Sequence, residues 1–204
     1  MKLHAVCTGR AEKLPGKSYK TGIFKTPVNG RVLIDAAGIV GDAICNTNHH
    51  GGVDQAIYLE GLLTLQWWSK TLGKPVAAGT FGENLVVADL DNRDVHVGDR
   101  LTIGNVVLEA TSARIPCATF NARMGDRQFA KTYTAAARPG IYCRVISTGD
   151  VGEGDAVSFQ RFEGAKVSIA ETMSTYGKRL DEATRQRFLA APIHHKLRHI
   201  LDRG

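Results

Sequence analysis

Three clusters in the 204-residue chain combine residue types that could do chemistry. In Arg114-Ile-Pro-Cys117, Pro116 stiffens the backbone just before a thiol, and Arg114 and Arg123 flank that thiol three residues before and six after. Cations facing a cysteine favour its thiolate, which is both a nucleophile and a soft metal ligand. From spacing alone, a buried structural cysteine fits Cys117 equally well. A second cluster, Asn48-His-His-Gly-Gly-Val-Asp-Gln-Ala56, sets two histidines, two glycines and an acid just before an apolar run. Adjacent glycines permit backbone shapes that expose amides to an anion. The third, Gly79-Thr-Phe-Gly-Glu-Asn84, repeats that arrangement. Each of the last two also reads as a polar turn whose side chain bonds its own backbone. His195 and His199 stand one helical turn apart but lack the glutamate of a zinc-binding helix, and they read as a helix surface.

The elements that must position these residues are mostly short strands. Leu3–Cys7 alternates, with Leu3, Ala5 and Cys7 on one face. Arg31–Ile34, Ala56–Leu59, Ile141–Ile146 and Ala156–Phe159 are further strand-length runs. Arg100–Ile103 and Val106–Ala110 flank Gly104-Asn105, a two-residue hairpin signal. Strands at this spacing predict a barrel or sandwich rather than a parallel sheet. One helix carries Leu62, Leu65, Trp68 and Leu72 on a single face and ends at Gly73, so Trp67-Trp68 reads as core. Another is expected from about Arg127 to Ala137. After Gly164 the pattern becomes helical: Ser168 to Glu171 is a capping box, Asp181 caps Glu182–Ala191 ahead of Pro192, and Ile193, Leu197, Ile200 and Leu201 share one stripe. The expected division is a β domain over 1–160 and a three-helix segment over 161–204.

Composition narrows the function classes. Hydrophobic and charged fractions of 43% and 23% are those of a globular protein. No apolar run reaches the roughly 18 residues of a membrane span, and no secretory leader is visible, so a cytoplasmic protein is the expectation. Cys7, Cys45, Cys117 and Cys143 form no CxxC pair, and Cys7 and Cys143 read as core. The net charge of +6 is uneven: 17 basic against 15 acidic residues in 1–160, and nine against five in 161–204. A basic tail of this kind is read as a solvated helical face, which disfavours nucleic acid as a partner.

His50-Gly-Gly-Val-Asp-Gln-Ala56, Gly79-x-Phe-Gly-Glu-Asn-Leu85, Val97-Gly-Asp99, Arg114-x-Pro-Cys117 and Gly140-x-Tyr-x-Arg-Val145 occur in the order seen in MOSC domains. These are the proteins similar to the C-terminal domain of molybdenum cofactor sulfurase. The opening Gly22-Ile-Phe-Lys-Thr-Pro-Val-x-Gly30 and the helical tail resemble the YiiM-type branch, which ends in a 3-alpha segment. The resemblance spans nearly the whole chain. It implies a mainly β fold, a closed β-barrel with peripheral helices, and binding of the molybdenum cofactor, a pyranopterin whose dithiolene holds Mo. It further implies reduction of N-hydroxylated compounds such as 6-hydroxylaminopurine, with electrons from an external donor protein.

On that resemblance Cys117 is the Mo ligand and, with His50, the catalytic group. Lys25, Arg31, Arg114 and Arg144 are cationic anchors for the pterin and its phosphate, and His50, Asp54 and Asn84 line the pocket. A histidine suits proton delivery near neutral pH, and His50 fits a turn-bracing role as well. Glu83 and Asp99 could brace the cations or their own turns. Two departures from the family pattern, Ile57-Tyr-Leu-Glu60 and the Ala118–Arg123 segment, bear on substrate shape. Competing readings are a Cys117 persulfide that transfers sulfur, a molybdopterin carrier without turnover, and nucleic-acid binding through the tail. The tail suits a homodimer or packing within one chain.

Overall fold

The computed structural model describes residues 1–15, 17–47 and 50–203. The strands are β1 (Leu3–Gly9), β2 (Glu12–Lys13), β3 (Lys20–Thr21), β4 (Lys25–Pro27), β5 (Val32–Asp35), β6 (Gly38–Ile39), β7 (Ile57–Gly61), β8 (Leu85–Val87), β9 (Arg100–Ile103), β10 (Val106–Ala113), β11 (Ile141–Ser147), β12 (Gly149–Val151) and β13 (Val157–Gln160). The helices are α1 (Leu62–Leu72), α2 (Ala118–Met124), α3 (Phe129–Ala136), α4 (Ile169–Ser174), α5 (Glu182–Leu189) and α6 (His195–Asp202).

The main sheet has eight strands in the order β13-β9-β10-β11-β7-β8-β1-β4. All its pairings are antiparallel except β7 with β8. The strand-rich expectation holds, but the closed barrel does not appear as a continuous ring of ladders. The sheet ends at β13 and β4, and a single bridge, Lys2 to Ala156, connects the start of β1 with the residue ahead of β13. A three-stranded sheet, β12-β5-β6, lies apart from it. Gly104 takes φ +58° and turns β9 back into β10, as the Gly-Asn pair requires.

The core runs the length of the sheet. Trp68 on α1 is fully buried and stacks on Tyr133, with Phe81, Phe120 and Phe129 packed edge-on or tilted around the pair. This aromatic cluster fixes α1, α2 and α3 against one end of the sheet, the end from which Cys117 emerges. In the tail, Ser168 and Glu171 form the full capping box and Asp181 accepts from Thr184 N, so both predicted helix starts stand. Ile193 and Leu201 are buried, whereas Ile200 is exposed, so the apolar stripe of α6 is narrower than its spacing suggests. The Thr172 hydroxyl on α4 accepts from Ala113 N at 2.8 Å, and His194 N donates to Thr111 O at 3.3 Å. The tail is therefore bonded to β10, the strand that leads into Cys117. No described helix is long and apolar enough to cross a membrane.

Candidate functional site

A cleft of about 380 Å³ opens beside the main sheet, within the size range of small-molecule sites. Its wall is assembled from distant segments: Tyr19–Ile23 and Lys25, Asp42–Asn46, the two ends of the His50–Ala56 turn (His50, Gly51, Gln55 and Ala56), Tyr58, Phe81, Gly82, Asn84, Arg114, Cys117, Thr119 and Tyr142. Asn48 and His49 lie outside the described residues.

Cys117 occupies the N-cap of α2 in an extended conformation, and its thiol makes no capping bond. Instead it lines the cleft, half-buried. Pro116 and the αL-capped short helix behind it hold the backbone there. Arg114, three residues earlier, is only 4% exposed. Its guanidinium lies 3.7 Å over the Phe120 ring and donates to Ile115 O at 3.2 Å. Among the described residues no carboxylate lies within ion-pair distance of it. It stands within electrostatic reach of Cys117 and of the Tyr58, Tyr133 and Tyr142 hydroxyls. A buried cation facing a cleft without a paired anion is costly unless something anionic completes it. Arg123 does not serve the thiol: it donates to Thr80 O and covers the Phe24 ring.

Lys25 reaches the cleft already neutralised, ion-paired with the buried carboxylate of Asp42. Asn84 locks this pair in place. Its amide donates to Asp42 Oδ2 at 2.8 Å, and its Oδ1 accepts from Tyr58 N at 3.1 Å. His50 lines the mouth of the cleft, its N–H bonded to Asn46 O at 2.8 Å. Glu83 takes the turn role: it accepts from Gly79 N and Phe81 N at 2.7 and 2.9 Å, shaping the Gly-rich turn. Gly79 itself has φ +85°, and a Cβ there would meet Lys25 O at 2.3 Å, so only glycine lets the turn approach the Lys25 strand.

Three expected site residues stand elsewhere. Arg31 is exposed and pairs with Asp155 at 3.1 Å, joining β5 to the turn before β13. Asp54 and Arg144 pair with each other at 2.9 Å, away from the cleft wall. Asp54 also accepts from His195 N at 2.6 Å and from the His195 ring at 2.8 Å, while Arg144 donates to Pro192 O and Ile193 O. These contacts fasten the tail to the sheet. His195, expected on a bare helix surface, is part of the same fastening. Although burial alone would raise the Asp54 carboxyl, the His195 bonds and the Arg144 charge hold it below its ordinary value. The neighbouring His194 imidazole is pushed down to about 4, chiefly by burial. Asp99 likewise binds its own surroundings, His96 N, Phe162 N and Arg161.

Sequence reasoning missed Asp42, Cys45, Tyr58 and Tyr142 as cleft residues. Asp42 follows Gly41 in an ordinary turn pattern, and the tyrosines sit in strands where aromatics usually mean core; the one available signal was the place of Tyr142 in the Gly140-x-Tyr-x-Arg-Val145 motif. Cys7 and Cys143 are fully buried, as expected, and burial pushes the Cys7 thiol up to about 12.

The chain resembles several known proteins. It is 30% identical over 139 residues to the YflK protein of Bacillus subtilis, covering 68% of this chain and 63% of that one. It is 30% identical over 158 residues to a protein of Gibberella moniliformis named "Reductase", covering 75% of this chain and 28% of that one. The chain thus spans less than two thirds of either relative. The crystal structure of YiiM from Geobacillus stearothermophilus superposes with a TM-score of 0.80 at 22% identity, over 99% of this chain and 97% of that one, which establishes a shared fold. The MOSC domain model matches residues 46–158, a span that includes the cleft-forming motifs from His50 to Tyr142. With more than half of its length in that match, the chain belongs to the MOSC domain family.

Proposed function

We propose that the cleft holds the molybdenum cofactor, with Cys117 as the protein ligand to Mo, and that the protein reduces N-hydroxylated bases such as 6-hydroxylaminopurine. The observation that carries this reading is the pairing of an accessible thiol with a buried, carboxylate-free guanidinium three residues away, facing one cleft. A soft thiolate and a forked cation are the donors that a sulfur-held metal on an anionic pterin requires. The fungal relative named as a reductase supports the same direction.

Arg114 is the buried anchor for the anionic group, supported by the aromatic faces of Phe120 and Tyr133. Lys25 lends a second positive end, but its charge is already balanced by Asp42, so its part is to shape and orient. Tyr58 and Tyr142 offer flat apolar walls, with ring centroids 5.6 Å apart and planes tilted by 53°, to a planar heterocycle. His50 at the mouth is the group placed to exchange protons with water. The cofactor, when bound, supplies two-electron redox chemistry and an acceptor for the hydroxyl oxygen. Electrons come from a separate donor protein.

The test is protein expressed with molybdate, assayed for Mo and pterin and for reduction of a panel of N-hydroxylated bases with a chemical donor. Roughly one Mo per chain and turnover that Cys117→Ser abolishes are expected. Mo without turnover would make the protein a carrier. A cyanide-labile sulfur on Cys117, with no Mo, would make it a sulfur-transfer protein.

A further inference from the structure

Beneath the cleft lies a second polar group that neither motif nor cation pattern announces. Tyr58 lines the cleft, and its hydroxyl donates to Glu60 Oε1 at 2.7 Å. Two residues apart on β7, the side chains share one face of the strand. Glu60 is wholly buried, and its other oxygen accepts from the Asn92 side-chain amide. Asn92 is held in turn by Gly61 N at 2.7 Å and by its own bond to Pro139 O at 3.0 Å. Gly140 closes the arrangement: a Cβ there would stand 2.5 Å from Glu60 Oε1 and 2.7 Å from the Tyr58 hydroxyl. The chain thus reserves room for this pair against the strand carrying Tyr142.

We propose that Glu60 and Tyr58 form a proton relay, with Glu60 as the store below the cleft and Tyr58 as the hydroxyl that passes its proton to a substrate held above. This deepens the reductase reading and rests on it for the substrate. Converting R–NH–OH to R–NH2 and water consumes two electrons and two protons. The electrons come from the external donor. In the loaded state the Glu60 proton sits on Oε1 and is donated to the Tyr58 oxygen, the reverse of the bond to the carboxylate, which turns the Tyr58 O–H toward the substrate. For each proton, the Tyr58 O–H proton passes to the substrate oxygen or nitrogen, and the Glu60 O–H refills Tyr58. The carboxylate left behind is reloaded from water along the same hydroxyl.

The surroundings keep the store loaded. Burial first, and the charge of Glu83 second, push the Glu60 carboxyl up to about 8, while the Tyr58 and Asn92 bonds and the Arg114 charge oppose the rise. The titratable groups acting on Glu60 are therefore Tyr58, Glu83 and Arg114, with Tyr133 close by on α3. Burial pushes the Glu83 carboxyl up as well, to about 7, but its partners are the Gly79 and Phe81 N–H groups of its own turn, not a hydroxyl that lines the cleft.

Infrared spectroscopy of the purified protein tests the relay without turnover. At about pH 7 the wild type should show the carbonyl stretch of a protonated carboxyl. Because burial also pushes the Glu83 carboxyl up to about 7, the band should have two components: Glu60→Gln should remove one, and Glu83→Gln should leave that one in place. On transfer to D2O the band should shift with deuteration, and in Tyr58→Phe, which keeps the ring, that shift should slow about tenfold or more. A band undiminished by Glu60→Gln, or an equal exchange rate of the Glu60 component in Tyr58→Phe, overturns the relay. Failure of the reductase reading would show separately, as wild-type protein that carries Mo and turns over no N-hydroxylated base.

Discussion

Replacing Asp54 with alanine should loosen the C-terminal helices and leave the cleft intact. The wild-type carboxylate accepts two bonds from His195, at 2.6 and 2.8 Å, and pairs with Arg144 at 2.9 Å. Hydrogen bonds to a charged group contribute about 1.5–3 kcal/mol each, and removing one partner of a buried pair costs about 3–5 kcal/mol. The cost here falls below the sum. Arg144 keeps Glu109 at 3.5 Å and two carbonyls, and the His195 ring is largely exposed. A net loss of roughly 2–4 kcal/mol follows, or roughly 4–16 °C in Tm for a chain of this size. Thermal or urea unfolding measures the total, and amide exchange across α6 shows where it falls. Because the folded Asp54 carboxyl lies below its ordinary value of 3.8, its contribution is present at neutral pH and is lost as pH falls through the folded value. The wild-type and variant stability curves should therefore converge in acid. A loss below about 0.5 kcal/mol with unchanged exchange in α6 would refute the fastening role. A loss of anion binding in the cleft would return Asp54 to the site.

Glu60 makes the opposite pH prediction. Its folded carboxyl titrates near 8 against an ordinary value of 4.5, so the native state binds more protons between those values and its stability falls as pH rises through that window. Glu60→Gln should flatten the fall, which is of the order of a few kcal/mol in urea titrations across that range. Arg31→Ala and Arg114→Gln separate the two kinds of arginine. Loss of the exposed Arg31 pair should leave stability and pterin retention nearly unchanged, whereas Arg114→Gln should lower retention about tenfold or more at little change in Tm. Equal retention in both variants would remove Arg114 as the anchor.

Much of the frame was legible along the chain, because its signals are local. The Gly104-Asn105 turn, the Ser168–Glu171 capping box and the Asp181 cap each depend on residues within a few positions of one another. Cys117 stood out for a local reason too, a proline-stiffened approach between arginines, and the structure sets it in the cleft. Burial of Cys7 and Trp68 followed from apolar periodicity.

What tertiary structure alone decided was which charge meets which. Asp54 finds His195 across 141 residues, and Arg31 finds Asp155 across 124, so two residues that looked like ligands serve as fasteners. Lys25 meets Asp42, and Arg114 meets no carboxylate among the described residues. Four cations that look alike in sequence thus become two tail or surface ties, one balanced wall residue and one buried guanidinium facing the cleft. Glu60, an acid in a strand, is pushed up to about 8 because the folded chain buries it and sets Glu83 nearby. A side chain's type is written in the sequence, but its charge state and partner depend on desolvation and on contacts that only the folded chain brings together.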